Sequence, residues 1–271
     1  MIPFVKVHAC GNDFLIVDER FPKKDHAELT RKLCSRNTSI GADGIEFVDR
    51  RDGEIFLRLF NADGSAAELS GNGTRCVAAW LASSEGIDDV ILGTHGGPRR
   101  CRVVEDNNPL YLIESEMGVP QVTPQTIQVD GVGKVEGAVV NVGNPHFVIF
   151  TENEDFSGHG LRWQELGAKI SVSPLFPHGT NVEFVRVLSK DKISFRIFER
   201  GCGPTTSSGT GTCASSSASM ALRGVARELT AIAEGGSQRT VWPADSEDAV
   251  MLLTGPAEII CRGEAYAGPR S

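Results

Sequence analysis

No part of this 271-residue sequence approaches the roughly 20 consecutive apolar residues that a membrane-spanning helix requires. The first residues also lack the basic segment followed by an apolar segment that marks a secretory signal. Positive charge is scarce as well, since 27 Lys and Arg residues face 35 Asp and Glu residues, for a formal net charge of -8. Such a surface repels nucleic acids and anionic membranes at long range. We therefore expect a cytoplasmic protein whose partner is a small molecule, with no nucleic acid and no membrane.

Closely spaced cysteine pairs are missing too. A disulfide framework or a structural zinc site would need such pairs, or a matching histidine spacing. The seven cysteines are instead scattered singly along the chain, at Cys10, Cys34, Cys76, Cys101, Cys202, Cys213 and Cys261. We predict reduced thiols and no metal site.

What the sequence does contain is an internal repeat. Residues 55–74, IFLRLFNADGSAAELSGNGT, align without a gap on residues 193–212, ISFRIFERGCGPTTSSGTGT. Two further pairs keep the same order, GNDFLIV (11–17) with GNPHFVI (143–149) and IEFV (45–48) with VEFV (182–185). Three collinear matches, spaced by about half the chain, predict two equivalent halves.

Each half combines strand patterns with one helix in an equivalent place. Strand periodicity is present in FLIVDE, GIEFVDR and EIFLRLF of the first half and in HFVIFTE, NVEFVRV and ISFRIFE of the second. Helices are expected to begin at Gly71 and Gly209, with peripheral helices at 26–36 and 161–170. The helix after Gly209 consists almost entirely of Ala, Ser and Cys, which suits burial inside a curled sheet.

The predicted fold class is therefore α/β (α+β), with two pseudo-symmetric domains that are each a curled, mostly antiparallel sheet around a central helix. We expect the first domain to span residues 1–118, completed by about 263–271, and the second to span 119–262. The proline-containing segment 117–125 is the expected crossover. The late strand GPAEIICRGEAY is expected to return to the first half.

The beginnings of the two central helices are the candidate site. Ser70 and Ser208 each precede a glycine-rich turn that enters a helix, where unpaired backbone N–H groups and the helix dipole attract an anion. A single copy would be unremarkable, since serine is a common N-cap. Two copies related by a repeat can surround one small carboxylate and place one side chain on each face of a carbon.

Polar residues near the predicted strand ends extend this pattern. Asparagine is a frequent turn residue, but several asparagines at equivalent places of two repeats predict a polar pocket for a zwitterion. Glu199 can bind an ammonium group and Arg200 a carboxylate. The four asparagines are Asn12, Asn61, Asn144 and Asn181.

Together these motifs resemble the diaminopimelate epimerase family, of the cofactor-independent amino-acid racemase group. The matching stretches run almost end to end: GNDF, GADG, NADGS, SGNGTRC, GNPHFV, GTNVEFV, ERGCGPT, SSGTGTCA and LLTGPAEII. The resemblance implies a homodimeric isomerase that binds its substrate between two domains. It implies proton transfer at the α-carbon of L,L- or meso-diaminopimelate, in lysine and cell-wall biosynthesis, without a cofactor.

The resemblance also assigns roles to residues. Ser70 and Ser208 occupy the positions of the family's two catalytic thiols, and Gly71, Asn72, Gly209 and Thr210 would hold the α-carboxylate. His146 matches a family histidine near the substrate ammonium. The ammonium and distal polar end would be held by Asn144, Asn181 and Glu199, and the far carboxylate by Arg200, Asn12 and Asn61. One departure is Pro204, where the family has a glutamate.

Serine at the two thiol positions changes the expected chemistry. A thiol titrates near ~8.5 and can be tuned to a thiolate, whereas an alkoxide is hardly populated near neutrality. Cys76 and Cys213 lie inside the helices and are expected to be packing residues. Three interpretations stay open: an epimerase with reduced or lost activity, whose serines are natural or introduced to trap a ligand, a sibling isomerase of another substrate, and an amino-acid-binding protein.

Overall fold

The structure is a computed structural model and describes residues 1–20, 25–67, 69–243 and 249–266. It divides into two compact units, Met1–Ser115 with Gly255–Ser271, and Glu116–Thr254. The return to the first unit begins at Gly255, earlier than about residue 263, because the strand from there to Ala265 pairs with the N-terminal strand. Residues 267–271 of the predicted completing segment lie outside the described residues.

The first unit alternates strands with two helices. In chain order its elements are β1 (Ile2–Ala9), β2 (Asn12–Asp18), α1 (His26–Leu33), β3 (Gly44–Arg51), β4 (Glu54–Asn61), β5 (Ala66–Ala67), α2 (Gly71–Glu85), β6 (Asp89–Gly93), β7 (Arg99–Asn107) and β8 (Leu110–Glu116).

The second unit follows the same plan. Its elements are β9 (Gln121–Val129), β10 (Gly133–Asn141), β11 (Pro145–Phe150), α3 (Trp163–Ser171), β12 (Asn181–Ser189), β13 (Lys192–Glu199), β14 (Gly203–Thr205), α4 (Gly209–Leu222), β15 (Glu228–Ala233), β16 (Gly236–Val241) and β17 (Leu252–Ala265). The residues of β17 from Gly255 onward belong to the first unit.

The strands of both units pair in the same succession. β1 to β4 and then β6 and β7 pair antiparallel, parallel, antiparallel, parallel and antiparallel. β10 to β13 and then β15 and β16 repeat that order. Each parallel pair is connected through a helix, as parallel strands require. In the first unit, pairings of β17 with both β8 and β1 complete a ring of strands. The repeat in the sequence is therefore a repeat in the fold.

The two central helices lie in the hydrophobic cores of their units. Cys76 and Val77 of α2 pack with Val48 of β3 and with other strand residues of the first unit. Cys213 and Ala214 of α4 pack in the corresponding core of the second unit. Four serines of α4 are completely buried, which small side chains permit where strands approach a helix closely: Ser215, Ser216, Ser217 and Ser219.

The structure confirms the predicted strands and four helices and corrects one segment. The central helices begin at Gly71 and Gly209, and the peripheral helices span His26–Leu33 and Trp163–Ser171. The expected crossover at 117–125 is wrong from Gln121 onward, because those residues begin β9. Pro124 fits into this strand opposite Ala138 of β10, with its side chain exposed.

Candidate active site

The first helix mouth, residues 70–73, is organised by its serine. Ser70 has an extended backbone, and its Oγ accepts a hydrogen bond from the backbone N–H of Gly73 at 3.0 Å. The backbone N–H of Thr74 donates to the carbonyl oxygen of Ser70 at 2.9 Å. The N–H groups of Gly71 and Asn72 have no acceptor within the helix, as the geometry of a helix start dictates. This mouth can therefore accept an anion beside a partly buried serine.

The second helix mouth, residues 208–211, repeats that geometry in the other unit. Ser208 is extended and partly buried, and its Oγ accepts from the N–H of Gly211 at 3.2 Å. The N–H of Thr212 donates to the carbonyl oxygen of Ser208 at 2.9 Å. The hydroxyl of Thr210 lies 3.4 Å from that of Ser208. The two serines are thus equivalent caps of equivalent helices.

An asparagine from the preceding strand region contacts each mouth. In the first unit, Nδ2 of Asn72 donates to Oδ1 of Asn12 at 3.3 Å. In the second, Nδ2 of Asn144 donates to Oγ1 of Thr210 at 3.3 Å. Asn12 and Asn144 thus each contact the helix mouth of their own unit. Asn12 presents its oxygen to the mouth and Asn144 its amide N–H₂, so the two mouths differ in hydrogen-bond character.

Charged groups fix the asparagines of the first mouth. The buried guanidinium of Arg75 donates to Oδ1 of Asn72 at 2.5 Å and to the carbonyl oxygen of Gly71 at 2.9 Å. Asn12 in turn donates to Oδ2 of Asp43 at 2.8 Å. These contacts decide which end of each amide faces the mouth. Asn12 and Asn72 are consequently held in one orientation.

Two cations support the Asp13 carboxylate, which follows Asn12. Arg36 donates to its Oδ1 at 2.7 Å, and Nζ of Lys6 lies 3.0 Å from its Oδ2. Burial would raise the pKa of Asp13, but the hydrogen bonds from Arg36 and Lys6 outweigh it and hold the pKa below its usual value. Asp13 is therefore ionised, and Arg36 links it to Asp43 at 2.8 Å.

A histidine and a glutamate fix the asparagine of the second mouth. Nε2 of His146 lies 2.8 Å from Oδ1 of Asn144, and its Nδ1 lies 2.6 Å from Oε1 of Glu183. Because Oδ1 can only accept, Nε2 carries a proton, and Asn144 must direct its N–H₂ toward Thr210. The side chains of His146 and Glu183 are fully buried. His146 therefore acts within the protein interior as the support of Asn144.

Burial raises the pKa of the Glu183 carboxyl, while the adjacent His146 lowers it by a smaller amount. Its equivalent in the first unit is Glu46, which is 1% exposed and has no such histidine. Phe14 occupies the position in the repeat that His146 occupies in the second half. Burial alone raises the pKa of Glu46 to about 8. Glu46 is therefore mostly protonated at neutral pH.

Sequence reasoning missed both glutamates as site residues, although a signal was present. Each is the one charged residue of the aligned segments IEFV and VEFV, whose other residues are apolar. A carboxyl at the same place in two buried strands is unusual, because burying a charge is costly without a partner. Glu46 lines a narrow crevice together with Ser70, Thr74 and Thr94 and the side chains of Leu57, Leu59 and Leu69.

The other predicted binding residues lie at strand termini. Asn61 ends β4, where its Nδ2 donates to Oγ of Ser65 at 3.0 Å. Asn181 begins β12, and its Oδ1 accepts from the backbone N–H of Arg200 at 2.9 Å. Asn12 likewise lies at a strand terminus, because it begins β2.

Glu199, which the sequence analysis expects to bind an ammonium group, is held in place by a hydrogen bond. Oε1 of Glu199 accepts from Oγ1 of Thr205 at 2.8 Å, and burial raises the pKa of its carboxyl despite that hydrogen bond. Arg200 is exposed, and its guanidinium donates to the carbonyl oxygen of His178 at 3.0 Å. Pro204 is exposed in β14, opposite Phe198.

Cys76 and Cys213 are fully buried in the two cores, which confirms them as packing residues. Burial raises the pKa of the Cys76 thiol far above its usual value. Over the described ranges, no group of three His, Cys, Asp or Glu side chains is arranged to hold a metal ion. Among the helices of the same ranges, none has both the length and the apolar composition that crossing a bilayer requires.

The fold of two repeated sheet-and-helix units defines a class of proteins with solved structures. A crystal structure of a probable proline racemase from Agrobacterium radiobacter K84 matches with a TM-score of 0.75. The match covers 100% of this chain and 94% of that chain at 17% sequence identity. At this identity the likeness shows the fold alone.

Sequence similarity narrows the class to a family. The family model described as diaminopimelate epimerase matches residues 4–123 and 138–260. The diaminopimelate epimerase of Bacillus cereus (strain ATCC 10987 / NRS 248) is 33% identical over 283 residues, covering 96% of each chain. That of Halothermothrix orenii (strain H 168 / OCM 544 / DSM 9562) is 34% identical over 284 residues, covering 97% of each. This chain belongs to the diaminopimelate epimerase family, and it is an isomerase of the epimerase and racemase type.

Proposed function

We propose that this protein binds L,L- and meso-diaminopimelate and epimerises their α-carbon without a cofactor, in lysine and cell-wall biosynthesis. Family membership and the names of the relatives support the substrate. The observation that carries the mechanism is the pair of equivalent helix mouths, each with a partly buried serine whose Oγ caps the helix. Two equivalent groups are what an inversion needs, because one must remove a proton and the other must return one.

In this mechanism Ser70 and Ser208 act on opposite faces of the α-carbon. One serine, as its alkoxide, takes the α-proton and becomes a hydroxyl, and the other serine hydroxyl gives its proton to the resulting carbanion and becomes the alkoxide. The substrate α-carboxylate accepts hydrogen bonds from backbone N–H groups of Gly71 and Asn72 in one mouth and of Gly209 and Thr210 in the other. These fixed dipoles stabilise the negative charge that develops beside the carboxylate in the transition state.

The remaining predicted residues hold the rest of the zwitterion. Glu199, Asn144 and Asn181 bind the ammonium group and the distal polar end. Arg200, Asn12 and Asn61 bind the far carboxylate. Support comes from the hydrogen bonds that orient the amides of Asn12 and Asn144 within their units.

Serine in place of the family's thiols makes this an impaired epimerase. An unassisted serine alkoxide is far more basic than a thiolate, so little of it exists near neutral pH. We therefore expect substrate binding comparable to that of a thiol-containing enzyme and much slower proton transfer. Restoring both thiols should recover the rate, because the caps and the supporting asparagines are otherwise in place.

Calorimetry with meso-diaminopimelate, together with exchange of the α-proton in heavy water followed by NMR, tests the proposal. The unmodified chain should bind the ligand and exchange its proton slowly. The double variant Ser70→Cys, Ser208→Cys should exchange faster by several powers of ten. The matched control is Ser84→Cys, Ser189→Cys, which adds two thiols at exposed serines and should leave exchange unchanged.

Each outcome separates the alternatives. Absence of binding by both the unmodified chain and the thiol variant contradicts the proposal. Binding without any gain from the two thiols contradicts the roles given to Ser70 and Ser208. That result would favour a sibling isomerase that moves the proton with other groups, or a protein that only binds an amino acid.

A further inference from the structure

Each unit buries one glutamate beside the helix that its serine begins. Glu46 of β3 lies opposite Leu59 of β4, and Glu183 of β12 lies opposite Ile197 of β13. Leu59 and Ile197 are themselves equivalent in the repeat. Since side chains alternate along a strand, each glutamate shares its face with the valine two residues later, which packs against the central helix. Both carboxyls therefore lie on the face of the sheet that packs against the central helix.

A glycine in the first helical turn makes room for each carboxyl. A Cβ added at Gly73 would lie 2.0 Å from Oε1 of Glu46 and 3.2 Å from Cβ of Ser70. A Cβ added at Gly211 would lie 3.1 Å from Oε1 of Glu183 and 3.2 Å from Cβ of Ser208. Carboxyl and serine thus flank the same glycine in both units. In the first unit they also line the same crevice.

In each of the two carboxyls, one oxygen has no hydrogen bond. Oε2 of Glu46 and Oε2 of Glu183 are buried and have no hydrogen-bond partner among the described residues. A buried unpaired polar atom costs free energy and calls for an explanation. Ser70 is in the complementary condition, because its Oγ accepts from Gly73 and the described residues give its hydroxyl proton no acceptor. A hydroxyl group and a carboxyl group with an unpaired oxygen therefore line the same crevice.

We propose that Glu46 and Glu183 are positioning residues that exchange protons with Ser70 and Ser208 respectively during epimerisation. The inference rests on the proposed function. On the face where the α-proton leaves, the C–H bond breaks and an O–H bond forms on serine, while the serine's original proton passes to the carboxylate behind it. On the other face, a protonated carboxyl resupplies the serine that has given its proton to the carbanion. One proton moves from one glutamate to the other, and no redox partner is needed.

The two glutamates differ in the way such an exchange requires. Glu46 faces apolar side chains of β2 and β4, the Cys76 thiol of α2 and the hydroxyl side chains of the crevice that it lines with Ser70. None of these groups is a cation, so burial keeps its carboxyl protonated, with a pKa of about 8. Glu183 faces His146 at 2.6 Å and lies within electrostatic range of Glu199. This contact with His146 lowers the pKa of the Glu183 carboxyl, whereas nothing offsets the effect of burial at Glu46. The two carboxyls are therefore not equivalent: Glu46 is protonated in the resting chain, and Glu183 has a histidine contact that favours its ionised form.

Variants in two backgrounds test this assignment. In the unmodified chain, Glu46→Gln keeps the size of the side chain but cannot exchange a proton. It should lower α-proton exchange of diaminopimelate by about 100-fold and remove the limb of the pH–rate profile near 8. Asp89→Asn, an exposed carboxyl at the start of β6, is the control and should leave both unchanged. In the Ser70→Cys, Ser208→Cys background, Glu46→Gln should change exchange by less than about threefold, because a thiol titrates without a relay.

Several results would overturn the inference. These are an unchanged pH profile in Glu46→Gln, an equal loss in the serine and thiol backgrounds, and exchange by the unmodified chain no faster than that of Ser70→Ala. Should Glu46→Gln fail to fold, infrared spectroscopy of the unmodified chain with isotopically labelled glutamate replaces it. A protonated carboxyl band that persists at neutral pH and shifts when meso-diaminopimelate binds supports the relay, and an unperturbed band contradicts it. Calorimetric binding separates this failure from that of the proposed function, which falls only if the ligand does not bind.

Discussion

The pH dependence of stability gives a direct measure of the environment of Glu46. The pKa of its carboxyl is about 8 in the folded chain, against an ordinary value of 4.5. A raised folded-state pKa means that the folded chain binds this proton more tightly than the unfolded chain does. The stabilising contribution is therefore complete below about pH 4.5 and is lost as the pH rises to about 8.

The size of this effect follows from linkage. Each pH unit in that window costs about 1.4 kcal/mol, so the free energy of unfolding should fall by about 5 kcal/mol over the whole window. Glu46→Gln has no titrating group at this position and should lack this component. Between pH 5 and pH 8, the stability of Glu46→Gln relative to the unmodified chain should rise by about 4 kcal/mol.

Urea unfolding at several pH values, followed by tryptophan fluorescence, measures this difference. Trp80 lies in α2 and is partly buried in the core of the first unit, so it reports on the unit that contains Glu46. Glu54→Gln, which removes an exposed carboxyl at the start of β4, is the matched control and should follow the unmodified chain. Parallel stability curves for Glu46→Gln and the unmodified chain would refute the argument, because they would mean that the carboxyl titrates equally in both states.

Two further predictions concern packing and thiol exposure. Gly73→Ala should destabilise the first unit by about 1–3 kcal/mol, because its new methyl group would lie 2.0 Å from Oε1 of Glu46, and combining it with Glu46→Ala should recover part of the loss. Gly158→Ala, whose methyl group would meet nothing nearer than 3.7 Å, is the control, and an equal loss there in urea unfolding would contradict the steric argument. Ellman's reagent should modify Cys202 and Cys261 in the native chain, because both are exposed, and the five buried cysteines only after unfolding. Rapid modification of more than two thiols in the native chain would contradict the burial of the other five.

Local patterns in the sequence were sufficient to predict the repeat and the central helices. Gly71 and Gly209 are the first helical residues because each follows a serine that can cap the helix through its own side chain. The alternation of apolar residues likewise predicted the strands around them. Pro124 shows the limit of such reasoning. Its lack of an N–H suggests a connection, yet tertiary pairing with β10 incorporates it into a strand.

In the candidate site too, some features follow from local sequence and others depend on tertiary contacts. The sequence predicted Ser70 and Ser208 at the starts of the two helices, since a helix start is a local feature. It did not identify Glu46 or Glu183, because a charged residue in an apolar strand indicates burial but not which side chains of the central helix it meets. The orientation of the Asn144 amide was equally inaccessible, since it depends on His146 and, through it, on Glu183 of a neighbouring strand.

The sequence by itself determined two equivalent halves, the strands and helices of each, and the two capping serines, because these follow from periodicity and from contacts within a few residues. Only the tertiary structure decided that a carboxyl lies behind each serine and that just one of the two has a histidine partner. Burial and pairing across strands depend on residues far apart in the chain, and those distances exist only once the sheet has closed around its helix.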